Sequence, residues 1–218
     1  MSLARLERLL TKVNLPVGLA WAVSPPVSDQ RRLFPTEAQA IAKAVPSRKA
    51  EFAGGRVAAR AALAKLGCMA LPIPMGPGRA PVWPQGYVGS VTHTDDMCLA
   101  IVGRQLDFVT IGVDLDRDAP LPADVISDVV LHGELLDQGD TARQARRIFS
   151  AKEALFKAQY PLTESFIGFQ AMHCDLAKGR AEFTKHDENV AIPPLLKANG
   201  LPIAHWVADG LVLYVSAV

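Results

Sequence analysis

The segment Thr110–Pro120 reads TIGVDLDRDAP. Ile111, Val113 and Leu115 alternate with Gly112, Asp114 and Asp116, the period of a β-strand in which residues two apart share a face. The strand therefore turns its apolar set to a core and both carboxylates, with Gly112, to the other side. Two such aspartates sit about 7 Å apart at the backbone, within the span of one bridging cation. Without a cation they repel, and each raises the pKa of the other. A plain strand end with a wet face has the same pattern. As ligands, an oxygen-only pair suits Mg2+ or Mn2+ rather than zinc.

About thirty-five residues on comes FSAKEALFKA, residues 149–158. Glu153 and Lys157 are four apart and share a helix face. One reading is a surface ion pair. The other sets Glu153 at the edge of a buried face, beside a neighbouring strand, as a third carboxylate for a cation held by Asp114 and Asp116. Three carboxylates with water and phosphate oxygens make a plausible Mg2+ shell, and Lys152 and Lys157 would then neutralise a phosphate.

Around these two segments the chain reads as a mixture of helices and short strands. Leu3, Leu6, Leu10 and Val13 recur at helical spacing. Strands are expected at residues 17–24, 87–93, 97–103 and 108–116. Helices are expected at 36–45 with Thr36 as N-cap, at 47–67, at 123–137 and at 141–160, the last stopped by Pro161. The glycine pair Gly54–Gly55 inside the second of these implies close approach of another element. Four more short strands follow, at 169–176, 180–186, 203–209 and 211–218, the last two joined by a tight turn at Asp209–Gly210. The pattern favours antiparallel pairing and an α+β class, with no usable repeat between the halves.

The 218 residues carry a formal net charge of +1, without the basic excess of a general nucleic-acid binder. No segment approaches the ~18 apolar residues of a membrane span. The first residues have no signal-peptide core, and three scattered cysteines, Cys68, Cys98 and Cys174, suit a reducing compartment. A cytoplasmic protein is expected. Two further clusters have ligand-binding character. Arg48, Arg56 and Arg60 lie on one helix, and arginine forks match phosphate geometry, although helix arginines also simply face solvent. The strand 87–93 carries Gly89, Ser90, Thr92 and His93, placed to contact a ligand; a lone histidine there also suits a structural role.

Together RKAEFAGGRVAARAAL (48–63), RAPVWPQGYVGSVTH (79–93), GVDLD (112–116) and FSAKEALFKA (149–158) resemble, in order, the motifs of the 4′-phosphopantetheinyl transferases. The similarity is to the long single-chain kind that activates siderophore, peptide and polyketide synthetases. LFPTEAQAI (33–41) belongs with them. The resemblance implies two similar halves, residues 1–107 and 108–218, each a small, mainly antiparallel sheet with a packed long helix, and an active site in the cleft between them. It implies Mg2+-dependent transfer (Mn2+ substituting) of the phosphopantetheine arm of coenzyme A to a serine of an apo acyl or peptidyl carrier protein, with release of 3′,5′-ADP. By position Asp114, Asp116 and Glu153 correspond to the metal ligands, and Lys152 and Lys157 to lysines near the pyrophosphate. Glu153, Lys157 and Asp114 are then the expected catalytic set, with Glu153 taking the serine proton directly or through a water. Arg48, Arg56 and His93 correspond to coenzyme phosphate contacts, with Ser90 and Thr92 beside them.

Two departures stand out. The second metal position, usually glutamate, is Asp116, and a lysine of many relatives is replaced by Met75, whose charge Arg79 would supply in part. Arg143, Arg146 and Arg147 offer docking charges for an acidic carrier helix, or a solvated face. A monomer is expected, since two halves in one chain complete a site. A non-catalytic coenzyme A-binding module and a D-x-D phosphatase are the alternatives.

Overall fold

The computed structural model describes residues 3–135, 139–184 and 191–218. Helix α1, Leu3–Lys12, buries Leu6, Leu9 and Leu10. Strand β1, Ala20–Ser24, pairs antiparallel with β3, Cys98–Arg104, and β3 pairs antiparallel with β2, Tyr87–His93. The order is β1-β3-β2. Helix α2, Pro35–Ala40, is shorter than expected, and Thr36 lies inside it. Proline at its first position sets the helix start. It ends where Ile41, at φ −115° and ψ 12°, leaves helical geometry, and Val45, extended at ψ 156°, precedes Pro46, the first residue of α3 (Pro46–Lys65). Helix α3 lies on the sheet, its Ala58, Ala59, Ala62 and Leu63 packed with Ala20, Ala22, Ala100 and Val102. The glycine pair does mark close approach: a Cβ on Gly54 would lie 2.5 Å from Pro25 O and 2.8 Å from Cys98 Sγ.

Strand β4, Ile111–Arg117, neighbours β9 (Leu211–Ala217), which pairs antiparallel with β8 (Ala204–Ala208). The β8–β9 turn has Asp209 at φ 55° and Gly210 at φ 72°, the two left-handed residues of a tight hairpin. A second small antiparallel sheet has the order β5-β6-β7, from β5 (Met172–Asp175), β6 (Arg180–Phe183) and β7 (Leu201–Pro202). Helix α4, Ala123–Val129, covers only the first half of its expected span, of which Leu136 and Asp137 lie outside the described residues. Lys185 and His186, at the end of an expected strand, also lie outside them. The six-residue α6, Pro194–Asn199, was not expected; it is too short to show a period.

Helix α5, Thr141–Thr163, is capped by the Asp140 side chain, which accepts from Arg143 N–H at 3.1 Å. Pro161 does not stop it. Proline removes one N–H donor to the carbonyl four residues back, yet the helix runs two residues further, and the chain leaves at Glu164, φ 51°, whose N–H reaches Tyr160 O at 2.8 Å. The apolar side of α5, with Ala145, Ile148, Ala151 and Leu155, packs with Val212, Tyr214, Met172 and Leu201. Two units divide between Ile111 and Gly112, each with a long helix on small sheets. Among the described residues no helix is long and apolar enough to cross a membrane.

Strand β4 and helix α5 touch backbone to backbone at Gly112. A Cβ on Gly112 would lie 1.9 Å from Ala154 O and 2.6 Å from Ala158 N. Both are backbone atoms that cannot swing aside. Gly112→Ala is therefore expected to destabilise by about 3 kcal/mol or more, the upper range of overpacking; a urea midpoint unchanged from wild type contradicts the contact.

Candidate active site

The aspartate face of β4 is not wet. It lies against α5, because Gly112 lets helix and strand touch. Asp114 is 7% exposed. Its Oδ2 accepts from Ser150 Oγ at 2.7 Å and its Oδ1 from Lys157 Nζ at 2.7 Å, and the same ammonium donates to Val113 O at 3.1 Å. Ser150 is a site residue that the sequence reading missed. Its signal is position: it precedes Ala154 by four, on the stripe of α5 that meets Gly112.

Glu153 is half-buried on the same helix. Burial pushes its carboxyl above the ordinary range, the Lys157 charge opposes this, and the Asp114 charge raises it further. Glu153, Asp114 and Lys157 thus act on one another electrostatically. Asp116 has other partners: Oδ2 accepts from Arg146 Nη1 at 3.0 Å, and Oδ1 from Arg117 N–H at 2.7 Å. Among the described residues no three His, Cys, Asp or Glu side chains gather as a metal-binding group. The structure brings Asp114 into range of Glu153 and leaves Asp116 engaged by an arginine.

The arginines expected to dock a carrier protein also have acidic neighbours. Arg147 is bidentate to Asp118, at 3.0 and 2.8 Å, and Arg143 Nη1 donates to Asp118 O at 2.5 Å. Those bonds from Arg147 hold the Asp118 carboxyl below the usual range. Instead of a free cationic face, the start of α5 is bonded to the end of β4 and the residues just after it.

In the other unit, Arg48 of α3 and His93 of β2 meet across 45 residues of sequence. Arg48 Nη1 donates to His93 Nε2 at 2.8 Å, and Glu51 Oε2 lies 3.3 Å from Arg48 Nη1 and 3.6 Å from His93 Nε2. A guanidinium only donates, so this bond requires His93 to accept at Nε2. Arg56 is 4% exposed. Its Nε donates to Ile73 O at 2.6 Å and its guanidinium lies 4.2 Å over the Phe52 ring. Burial lowers its pKa to about 10, with Arg60 and Arg48 adding to the depression and Glu37 opposing it. Ser90 and Thr92 are buried on the face of β2 opposite His93, because strand parity separates them from it. Arg79 is exposed, at φ 65° in a turn whose flanks pair through Met75 and Pro81.

Two family models match this chain. One describes the 4′-phosphopantetheinyl transferase N-terminal domain and matches residues 36–103; the other describes the 4′-phosphopantetheinyl transferase superfamily and matches residues 110–205. The chain is 36% identical over 212 residues to 4′-phosphopantetheinyl transferase Npt of Nocardia iowensis, covering 91% of this chain and 95% of the relative. The chain belongs to the 4′-phosphopantetheinyl transferase superfamily. It is 42% identical over 160 residues to 4′-phosphopantetheinyl transferase Svp of Streptomyces mobaraensis, 70% of this chain and 64% of that one. It is also 36% identical over 130 residues to enterobactin synthase component D of Escherichia coli (strain K12), 56% and 61% of the two chains. Its activity is that of the family, transfer of 4′-phosphopantetheine to carrier proteins.

Within this transferase Lys152 departs from the expected place beside the pyrophosphate. Its side chain is 1% exposed, and its ammonium donates to Val129 O, Glu134 Oε2 and Phe169 O at 2.8, 2.9 and 2.9 Å. Three donors meet three acceptors, so none remains for a phosphate. Glu134 also accepts from the N–H groups of Cys174 and Leu131. The pair ties α4 and β5 to α5. Lys152→Met leaves a buried carboxylate unpaired, which costs about 3–5 kcal/mol. Lys152→Met combined with Glu134→Gln is expected to cost less than Lys152→Met alone in urea denaturation; equal or greater loss contradicts the structural role.

Proposed function

We propose that this transferase acts on coenzyme A with Asp114, Glu153 and Lys157 as its chemical centre, and that 3′,5′-ADP is the second product. The supporting observation is the Asp114 carboxylate, buried at the end of β4 and bonded to Ser150 and Lys157, with Glu153 in range of its charge. The serine Oγ of an apo acyl or peptidyl carrier protein attacks the phosphorus that bears the pantetheine. The bond from that phosphorus to the oxygen of the neighbouring phosphate breaks, and the serine proton passes to Glu153. Burial makes Glu153 a stronger base than an ordinary carboxylate. Lys157, part-exposed and already against Asp114, supplies positive charge where phosphate oxygens gain negative charge.

The donors fit a hard divalent cation. Asp114 and Glu153 offer oxygens only, and the charge of one opposes ionisation of the other, a repulsion that a cation relieves. Asp116 joins them only on leaving Arg146. Bound there, Mg2+ or Mn2+ supplies charge stabilisation to the pyrophosphate. Arg48, His93 and Arg56 take coenzyme phosphates in this reading, and Arg79, in place of a lysine at Met75, reaches the same ligand. Ser90 and Thr92, on the other face of β2, offer hydroxyls to the same ligand in this reading. The three cysteines are free thiols, which fits work in the cytoplasm, and the two halves carried by one chain fit a monomer.

The direct test is intact mass of apo carrier proteins incubated with the enzyme and coenzyme A. One phosphopantetheine is expected per carrier serine, and EDTA is expected to stop the addition; transfer undiminished by EDTA removes the metal from the reading. Asp114→Ala and Glu153→Ala are each expected to lower kcat by about a hundredfold or more, with unchanged circular dichroism. Wild-type turnover in either variant overturns its assignment. In calorimetry, Arg48→Ala and His93→Ala are each expected to weaken coenzyme A binding by about tenfold, the worth of one charged hydrogen bond. An affinity equal to wild type places that residue outside the coenzyme site.

A further inference from the structure

Glu37, in the segment LFPTEAQAI, has no part in the chemistry above, yet it is a carboxylate with no exposed surface. It lies in the first turn of α2. Its oxygens take four hydrogen bonds. Phe34 N–H donates to Oε2 at 2.9 Å and Ile73 N–H to Oε1 at 2.8 Å, while Arg60 Nη1 lies 2.7 and 2.9 Å from the two oxygens. Arg60 also donates from Nη2 to Arg32 O at 2.6 Å.

The bond to Ile73 carries the consequence. Ile73 is fully buried in the loop that follows α3. Its N–H is held by Glu37, and its carbonyl is the acceptor for Arg56 Nε at 2.6 Å. One peptide residue thus connects the Glu37 carboxylate to the Arg56 guanidinium. Arg56 has a long, flexible side chain. The Phe52 ring on one side and the Ile73 carbonyl at Nε fix the plane of its fork. Electrostatics runs the same way. Two guanidiniums, Arg56 and Arg60, share this region with one carboxylate, and Glu37 is the group that opposes the lowering of the Arg56 pKa.

We infer that Glu37 is a positioning residue for coenzyme A: through the backbone of Ile73 it holds the Arg56 guanidinium in the orientation that binds a phosphate. This rests on Arg56 being a phosphate contact. Without Glu37, Ile73 N–H loses a buried acceptor, the loop shifts, and the Arg56 fork loses its fixed plane and its compensating charge.

Calorimetry of coenzyme A on the full chain tests this with Glu37→Ala, Glu37→Gln, Arg56→Met and both double variants. Glu37→Ala and Arg56→Met are each expected to weaken binding by about tenfold. Glu37→Gln keeps an acceptor for Ile73 N–H and is expected to retain more affinity than Glu37→Ala. The KM for the carrier protein is expected to stay at wild type in both Glu37 variants. The deciding value is the double variant. If Glu37 acts through Arg56, Glu37→Ala weakens binding no further once Arg56 is methionine. Where Glu37→Ala does not fold, the Glu37→Gln pair supplies the same cycle. Losses that multiply to about a hundredfold overturn the positioning role and leave the phosphate contact standing. Wild-type affinity in Arg56→Met overturns the phosphate contact, and the inference falls with it.

Discussion

The contact between Gly112 and the backbone of Ala154 and Ala158 organises the second unit. It also sets the register of everything beside it. Asp116 meets Arg146, Asp114 meets Ser150, and Gly112 meets Ala154. Each step of two residues down the strand answers a step of four up the helix. Two strand residues span about 6.6 Å and four helical residues about 6 Å. The two rises nearly match, so strand and helix run past each other with their polar groups in step. Small residues occupy α5 where backbone touches backbone, and polar ones where the aspartates arrive. A side chain at position 112 would break the match at its tightest point and move every other pair.

That arrangement explains which parts of the site could be read from sequence. Strand parity put Asp114 and Asp116 on one side with Gly112, and that holds. Parity does not say what covers a face. A strand-interior glycine is a mark of close backbone approach, and Gly112 was the sign that this face meets another element. Ser150 escaped because a serine inside a helix has no pattern of its own until its acceptor is known. Lys152 was misplaced for a related reason. Its partner Glu134 lies eighteen residues away in an irregular segment, and no periodicity connects them. The long helices and the strands around them were legible because each carries a sustained apolar pattern. Helix α2 is shorter than its alanine-rich run, which continues past Ala40, because the backbone already leaves helical geometry at Ile41.

The two buried charge clusters differ in a way that bears on function. Around Lys152 and Glu134 one cation meets one anion, and the ammonium donates to three acceptors within the protein. Such a cluster is closed. It ties elements together and offers nothing to a ligand. Around Glu37 the count is two guanidiniums to one carboxylate. The carboxylate is engaged by Arg60, and the second cation, Arg56, has a pKa depressed mainly by burial. A cluster with a surplus cation held in low dielectric is unfavourable on its own and is relieved when an anion arrives. If Arg56 takes a phosphate as proposed, burial alone does not separate structure from function in this chain. Lys152 and Arg56 are both almost wholly buried, and what distinguishes them is whether the protein itself supplies the opposite charge.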